Sequence, residues 1–157
     1  MSGEIVGGYP RRVPATDVTI RAARAGDVDA VVTFWSAEAE PTVADDRTSL
    51  ARLFERDANA LLVAERDGAI VGTLVAAWDG WRGNMYRLAV MSTARRASIG
   101  LRLVRAGEER LIALGAQRIT ALVVDSHDDA TGFWAAAGYE HDRRMARYVK
   151  TIDRGSS

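Results

Sequence analysis

The chain has 157 residues, 48% hydrophobic and 27% charged, which is the size and composition of an ordinary globular domain able to bury a real core. Its 21 basic and 21 acidic residues cancel, which removes the electrostatic footprint of a general nucleic-acid binder and leaves any affinity for a polyanion to a local patch. Cysteine is absent and there are only two histidines, so disulfides, thiolate metal sites and a cysteine nucleophile are excluded and no metal is expected.

The opening stretch "MSGEIVGGYPRRVP" has no continuous apolar segment of a secretory leader, and no later run approaches the roughly 20 apolar residues of a membrane span, so the expectation is a cytoplasmic protein without a membrane partner. Residues 1–15 read as a flexible arm, 16–152 as one domain and 153–157 as a flexible tail. "TDVTIRAA" is a first short strand. Asp27 is placed to cap a helix whose Val28, Val31, Val32 and Trp35 share one face, and Pro41 ends it. A second helix begins near Asp46, with Leu50, Leu53 and Phe54 turned inward. The Asp67-Gly68 pair between two apolar runs marks a tight hairpin of strands at 60–66 and 69–78. "DGWRGN" turns the chain into the strand "MYRLAV", and a helix from Ile99 to Leu114 follows, with apolar contacts expected at Leu101, Val104, Leu111 and Ile112 and a stop at Gly115. "QRITALVV" (117–124) is the next strand, "DDATGFWAAAG" a short helix ended by Gly138, and "RRMARYVK" (143–150) a last strand.

The chemistry concentrates in "MSTARRASIGLRLV", where a strand passes into a helix through a loop of small residues and arginines. The first turn of a helix leaves its amide N–H groups unpaired and carries roughly half a positive charge, so it can hold a phosphate. Ser98 and Gly100 keep that backbone accessible, and Arg95 and Arg96 add positive charge; a solvated, arginine-rich cap is the plainer alternative. Neither a P-loop nor a dinucleotide-binding fingerprint fits these residues.

"RRASIG" resembles the acyl-CoA motif of the GCN5-related N-acetyltransferase (GNAT) family, Arg/Gln-x-x-Gly-x-Gly/Ala at a helix start, and "YRLAV" before it and "ATGFWAAAGY" after it extend the likeness. Arg95 begins the motif, Ser98 stands where the family has its first glycine and Gly100 at the second. The resemblance implies an α/β fold of the α+β type: a mixed, mostly antiparallel sheet of six to seven strands, flanked by about four helices and splayed between its fourth and fifth strands. It implies that acetyl-CoA is the cosubstrate, with its pyrophosphate on Arg95, Arg96, Ala97, Ser98, Ile99, Gly100 and Leu101. Pantetheine would pair with backbone groups of a bulged strand at Leu88, Ala89 and Val90, and those groups would polarise the thioester carbonyl.

Two positions depart from the family pattern. Trp134 stands where relatives use a tyrosine hydroxyl to protonate the leaving thiolate; it cannot be that acid and is expected to pack beside the cofactor or in the core. His127 stands where relatives have Asn, and it either hydrogen-bonds pantetheine, titrates, or faces solvent. The strand before the motif holds no carboxylate, so the general base stays open between Asp125 and Glu40, with Glu38 and Tyr86 beside them. Glu38, Tyr86 and Trp81 are expected on the acceptor side, where Glu38, Glu40, Asp45 and Asp46 with Asp125 and Asp128 would form an acidic rim attracting a small cationic amine. The function implied is acetyl transfer to a primary amine of a small molecule by direct attack in a ternary complex, by a monomer or homodimer. A protein or peptide N-terminal or lysine acetyltransferase, and a non-catalytic acyl-CoA-binding regulatory domain, stay open as alternatives.

Overall fold

Asp67 and Gly68 both take positive φ, +51° and +78°, the conformation whose twist lets a two-residue turn join paired strands. They connect β2 (Leu61–Arg66) to β3 (Ala69–Trp78), within a residue of the boundaries read from the sequence. The computed structural model containing this hairpin describes residues 17–42, 45–94, 98–124, 128–153 and 155. These fall into two compact units, Met1–Leu122 and Val123–Ser157.

The first unit holds a five-stranded mixed sheet in the order β1-β2-β3-β4-β5. β1 (Thr19–Ala22), β2, β3 and β4 (Gly83–Val90) run antiparallel in sequence, and β5 (Ile119–Ala121) lies parallel to β4. Successive residues of β3 point to opposite faces. On one face Val75 joins Leu61, Val63 and Ala89 in a cluster with Val31, Phe34 and Trp35 of α1 (Val28–Glu38) and Leu50 of α2 (Arg47–Arg56). On the other, Leu74, Ala76 and Met85 lie against Gly107 of α3 (Ile99–Leu114). α4 (Asp128–Ala136) belongs to the second unit. No helix among the described residues is long and apolar enough to cross a membrane.

α2 begins next to Asp46 as expected, and Asp46 caps it by accepting the Ser49 N–H at 2.7 Å, a bond that lowers its pKa. Asp27 has a different task. Its side chain makes no cap bond to α1 but accepts from the Arg21 guanidinium at 2.8 and 3.0 Å and from the Arg24 N–H at 2.7 Å. Arg21 also donates to Glu65 at 2.6 Å, so one guanidinium ties β1, β2 and the entry to α1 together. The Arg21 bonds, against the opposing effect of burial, hold the Asp27 carboxyl at about 2.

Besides the Asp27 cap, three expectations are corrected. The sheet has five strands among the described residues, where six to seven were expected: 145–150 carries no strand, and Tyr148 is 94% exposed. A strand exists only where a neighbour takes its backbone bonds, and apolar alternation alone supplies none. For the same reason β5 is shorter than 117–124, since its ladder with β4 covers only Gly83↔Ile119 to Met85↔Ala121. On α3 the inward face is Ile99, Leu103, Val104, Gly107 and Leu111, whereas Ile112 is 63% exposed and Leu101 also faces out. The seat of α3 selects this face, because the helix approaches the sheet over glycines.

A Cβ on Gly72 would lie 3.0 Å from Leu103 Cδ1, 3.3 Å from Ile99 Cγ2 and 3.3 Å from the Ala89 carbonyl oxygen. Gly72→Val is therefore expected to lower stability by about 1–3 kcal/mol in denaturant melts; an unchanged midpoint would show that α3 can lift without cost. For Asp27, whose folded pKa lies below its ordinary value of 3.8, the stabilisation is present above that value and is lost as pH falls through about 2. Asp27→Asn should accordingly be less stable than the parent at pH 7, with the gap closing below pH 4. A gap independent of pH would assign the effect to packing instead.

Candidate functional site

β4 begins regularly and then breaks its own alternation. Its register with β3 passes from Val75↔Tyr86 to Thr73↔Ala89, so two residues, Arg87 and Leu88, stand opposite Leu74. Arg87 takes a left-handed φ of +54° to allow this bulge. Its effect shows in the packing: Tyr86 and Ala89, three apart, both contact the α1-side cluster, although strict alternation would send them to opposite faces.

The bulge is tied on three sides. The Thr73 hydroxyl, in a fully buried side chain, donates to the Arg87 carbonyl at 3.0 Å, and the same oxygen accepts Trp35 Nε1–H at 2.9 Å. The Arg87 guanidinium lies 4.9 Å from the Trp35 ring. It donates to the Glu40 carbonyl at 2.7 Å and to the Asp45 carboxylate at 2.6 Å. Thr42 adds two bonds to Asp45, from its N–H and its hydroxyl, each 2.9 Å. One turn beyond β4, the Ser92 N–H donates to Glu38 Oε2 at 3.1 Å. The segment leaving α1 is thus held along β4 from Arg87 to Ser92.

On its other edge β4 keeps its ladder to β5 only as far as Met85, closed by the Leu122 N–H on the Met85 carbonyl at 3.1 Å. The bulge begins two residues later. Val90 at the strand end pairs with Gly72, and Ile99 sits over that glycine, so the start of α3 is seated beside the end of β4. At that start Ser98 is the N-cap with φ +61° and ψ +15° and makes no side-chain cap bond. Serine here adopts the left-handed conformation that glycine would take freely. At this end the Arg102 N–H donates to the Ser98 carbonyl at 3.1 Å, and the N–H groups of residues 99–101 belong to the first turn, for which a helix itself supplies no partner.

Of the residues singled out from sequence, Leu88, Ala89 and Val90 stand on the bulged half of β4, Ser98 and Leu101 are exposed at the start of α3, and Ile99 and Gly100 turn inward. Glu38, Glu40 and Tyr86 are gathered around the bulge. Trp81 is not: it lies in the turn before Gly83, at the end of β4 where the ladder with β5 is intact. There Asp79 accepts the Trp81 and Arg82 N–H groups, and the Arg82 guanidinium stacks 4.0 Å from the Trp81 ring. Trp134, within its own unit, is buried edge-on to Phe133 and Tyr139 at 5.5 and 4.9 Å. Arg95, Arg96, Ala97, Asp125 and His127 lie outside the described residues. The expected acidic rim is weakened where it can be seen, because Asp45 is neutralised by Arg87 and Asp46 is committed to its cap. Sequence reading missed Arg87, Thr73 and the role of Trp35; the visible signal was a lone charge inside the apolar run "MYRLAV".

Residues 29–139 match the family described as Acetyltransferase (GNAT) family, and the chain belongs to it. Solved structures share the fold. The N-acetyltransferase AAC(6')-IG from Acinetobacter haemolyticus, which acts on aminoglycosides, is 14% identical, with 86% of this chain and 99% of that one covered at a TM-score of 0.69. The aminoglycoside N-acetyltransferase AAC(6')-Iy in complex with CoA is 18% identical, with coverage of 86% and 95% at 0.68. Ard1 from Thermoplasma volcanium is 19% identical, with coverage of 78% and 82% at 0.68. The five-stranded mixed sheet with four helices is this family's α/β fold.

The left-handed Ser98 gives a direct test of the turn into α3. Ser98→Gly should raise stability by roughly 0.5–1 kcal/mol by relieving that conformation, while Ser98→Val should lower it. The opposite order in thermal melts would place the strain elsewhere.

Proposed function

We propose that the protein transfers the acetyl group of acetyl-CoA to a primary amine of a small molecule by direct attack in a ternary complex. The observation that carries this reading is the bulge at Arg87-Leu88, just past the point where the β4–β5 ladder stops and followed along the chain by the open start of α3. In it, backbone groups of Leu88, Ala89 and Val90 take up the pantetheine arm and polarise the thioester carbonyl, and the residues from Arg95 to Leu101 receive the pyrophosphate. The amine nitrogen bonds to the carbonyl carbon, the C–S bond breaks, CoA leaves as thiolate, and the amine's proton passes to water or to a nearby carboxylate. A thiol of pKa near ~8.5 leaves without much help, so Trp134 in place of an acid is no obstacle. The CoA bound by AAC(6')-Iy, a neighbour of the same fold, supports the choice of donor.

The acceptor is inferred from the proton. Stripping an alkylamine of pKa near ~10.4 at pH 7 costs roughly 4–5 kcal/mol, whereas an α-amine near ~8 costs about 1 kcal/mol. β4 carries no carboxylate and Asp45 is already paired, which favours the less basic amine. Glu40 and Asp125 remain the proposed proton acceptors, with Glu38 and Tyr86 beside the amine.

CoA release from acetyl-CoA, followed with glycinamide, benzylamine and 1,4-diaminobutane, tests the activity; binding of acetyl-CoA with no turnover on any amine would make the protein a binder. Because Gly100 is buried, the exposed Ser98 is the better place to probe the phosphate site. Ser98→Asp places a negative charge where the pyrophosphate is proposed, and it should weaken CoA binding about tenfold or more while leaving the helix as stable or more so. Unchanged affinity by calorimetry in the folded variant would move the pyrophosphate elsewhere.

A further inference from the structure

We propose that Arg87 is a positioning residue that couples the segment after α1 to the polarising edge of β4. The inference rests on the reading of β4 as the acyl-CoA-binding strand and assigns work within it to a residue no comparison singles out. Two separate parts of Arg87 are engaged. Its carbonyl is held by the buried Thr73 hydroxyl. A trans peptide is planar, so the Leu88 N–H points opposite to that carbonyl, away from Thr73 and β3. Fixing one bond on the β3 side therefore aims one donor toward the edge where the β4–β5 ladder has ended. The thioester carbonyl would lie there.

The side chain does the second task. Its two terminal nitrogens reach Glu40 and Asp45, and its guanidinium carbon lies over the ring of Trp35, whose own N–H closes on the same Thr73 oxygen. A guanidinium serves both partners at once through a rigid fork, which an ammonium cannot copy. The left-handed backbone of Arg87 is costly for a non-glycine residue, and it persists here because Thr73, Trp35, Glu40 and Asp45 together over-determine it. Any shift of the segment after α1 is therefore transmitted to the peptide between Arg87 and Leu88.

The two arms separate in mutants. Arg87→Gly keeps the left-handed φ accessible but removes the fork; it should raise KM for glycinamide about tenfold and leave CoA affinity within about threefold. Arg87→Lys should fail to restore it. Thr73→Val releases the carbonyl and should lower kcat about tenfold with CoA affinity again little changed. Coupling has its own readout: Thr73→Val should also speed amide hydrogen exchange in residues 38–42 and 45–46, which lie beyond the Trp35 and Arg87 groups that Thr73 bonds. Wild-type KM in folded Arg87→Gly, rescue by Lys, or unaltered exchange after Thr73→Val would each overturn the proposal. If the parent protein neither binds CoA nor releases it from acetyl-CoA, the functional reading has failed instead, and the exchange comparison alone decides whether the coupling exists.

Discussion

One hydroxyl, that of Thr73, is shared between the Arg87 carbonyl and the Trp35 indole N–H, and the arrangement of β3, β4 and α1 depends on it. Thr73 is fully buried, where an unmatched polar group costs about 1–3 kcal/mol, so its two bonds leave little freedom in how these elements meet. If β4 ran without a bulge, its alternation would shift by one residue and carry Ala89 away from the α1-side cluster. The register of the strand, the seating of Trp35 and the direction of the Leu88 N–H are thus aspects of one constraint. A core polar group of this kind specifies geometry more than it adds stability.

The opposite face is governed by absence of side chains. Gly72 and Gly107 bring α3 down to van der Waals contact with β3 and β4, and this fixes where Ser98, at the helix start, stands relative to Val90. The electropositive helix start and the bulged strand are placed by different physics, close packing in one case and hydrogen bonding in the other. They meet at the end of β4. Formal neutrality conceals how the charges are used: Asp27, Asp45 and Asp57 are each bonded to a guanidinium, of Arg21, Arg87 and Arg110 respectively, and the last two pairs bridge elements far apart in the chain. These are partly buried pairs that fix positions, and the net charge of zero says little about the field at the site.

Elements whose bonds are local were legible in the sequence. The Asp67-Gly68 turn, the span of α3 from Ile99 to Leu114, and the start of α2 next to Asp46 follow from residues within a few positions of one another. What depends on a distant partner was not. The stretch 143–150 has the composition of a strand yet finds no ladder, and β5 ends where β4 ceases to accept it. The helix start at Ile99 could be read from the sequence, although a serine in left-handed conformation before it gives no sign of itself. Arg87 was illegible for a similar reason: positive φ at arginine has no sequence signature, and its partners Trp35, Thr73 and Asp45 come from three other elements.

The spent carboxylates also bear on the amine acetylation proposed for this site. Asp45 is bonded to the Arg87 guanidinium at 2.6 Å, which commits it to holding the bulge in place. Glu38, which takes the Ser92 N–H, is likewise engaged by a donor. Proximity would compensate. In the proposed reaction an amine of pKa near ~8, cheaply deprotonated at pH 7, would need no strong base once held against a polarised thioester, because the oxyanion's stabilisation and the thiolate's departure would draw the reaction forward and the proton could leave after attack. A site of this construction makes its demands on alignment, and alignment is what the bulge at Arg87, tied to both β3 and the segment after α1, is built to supply.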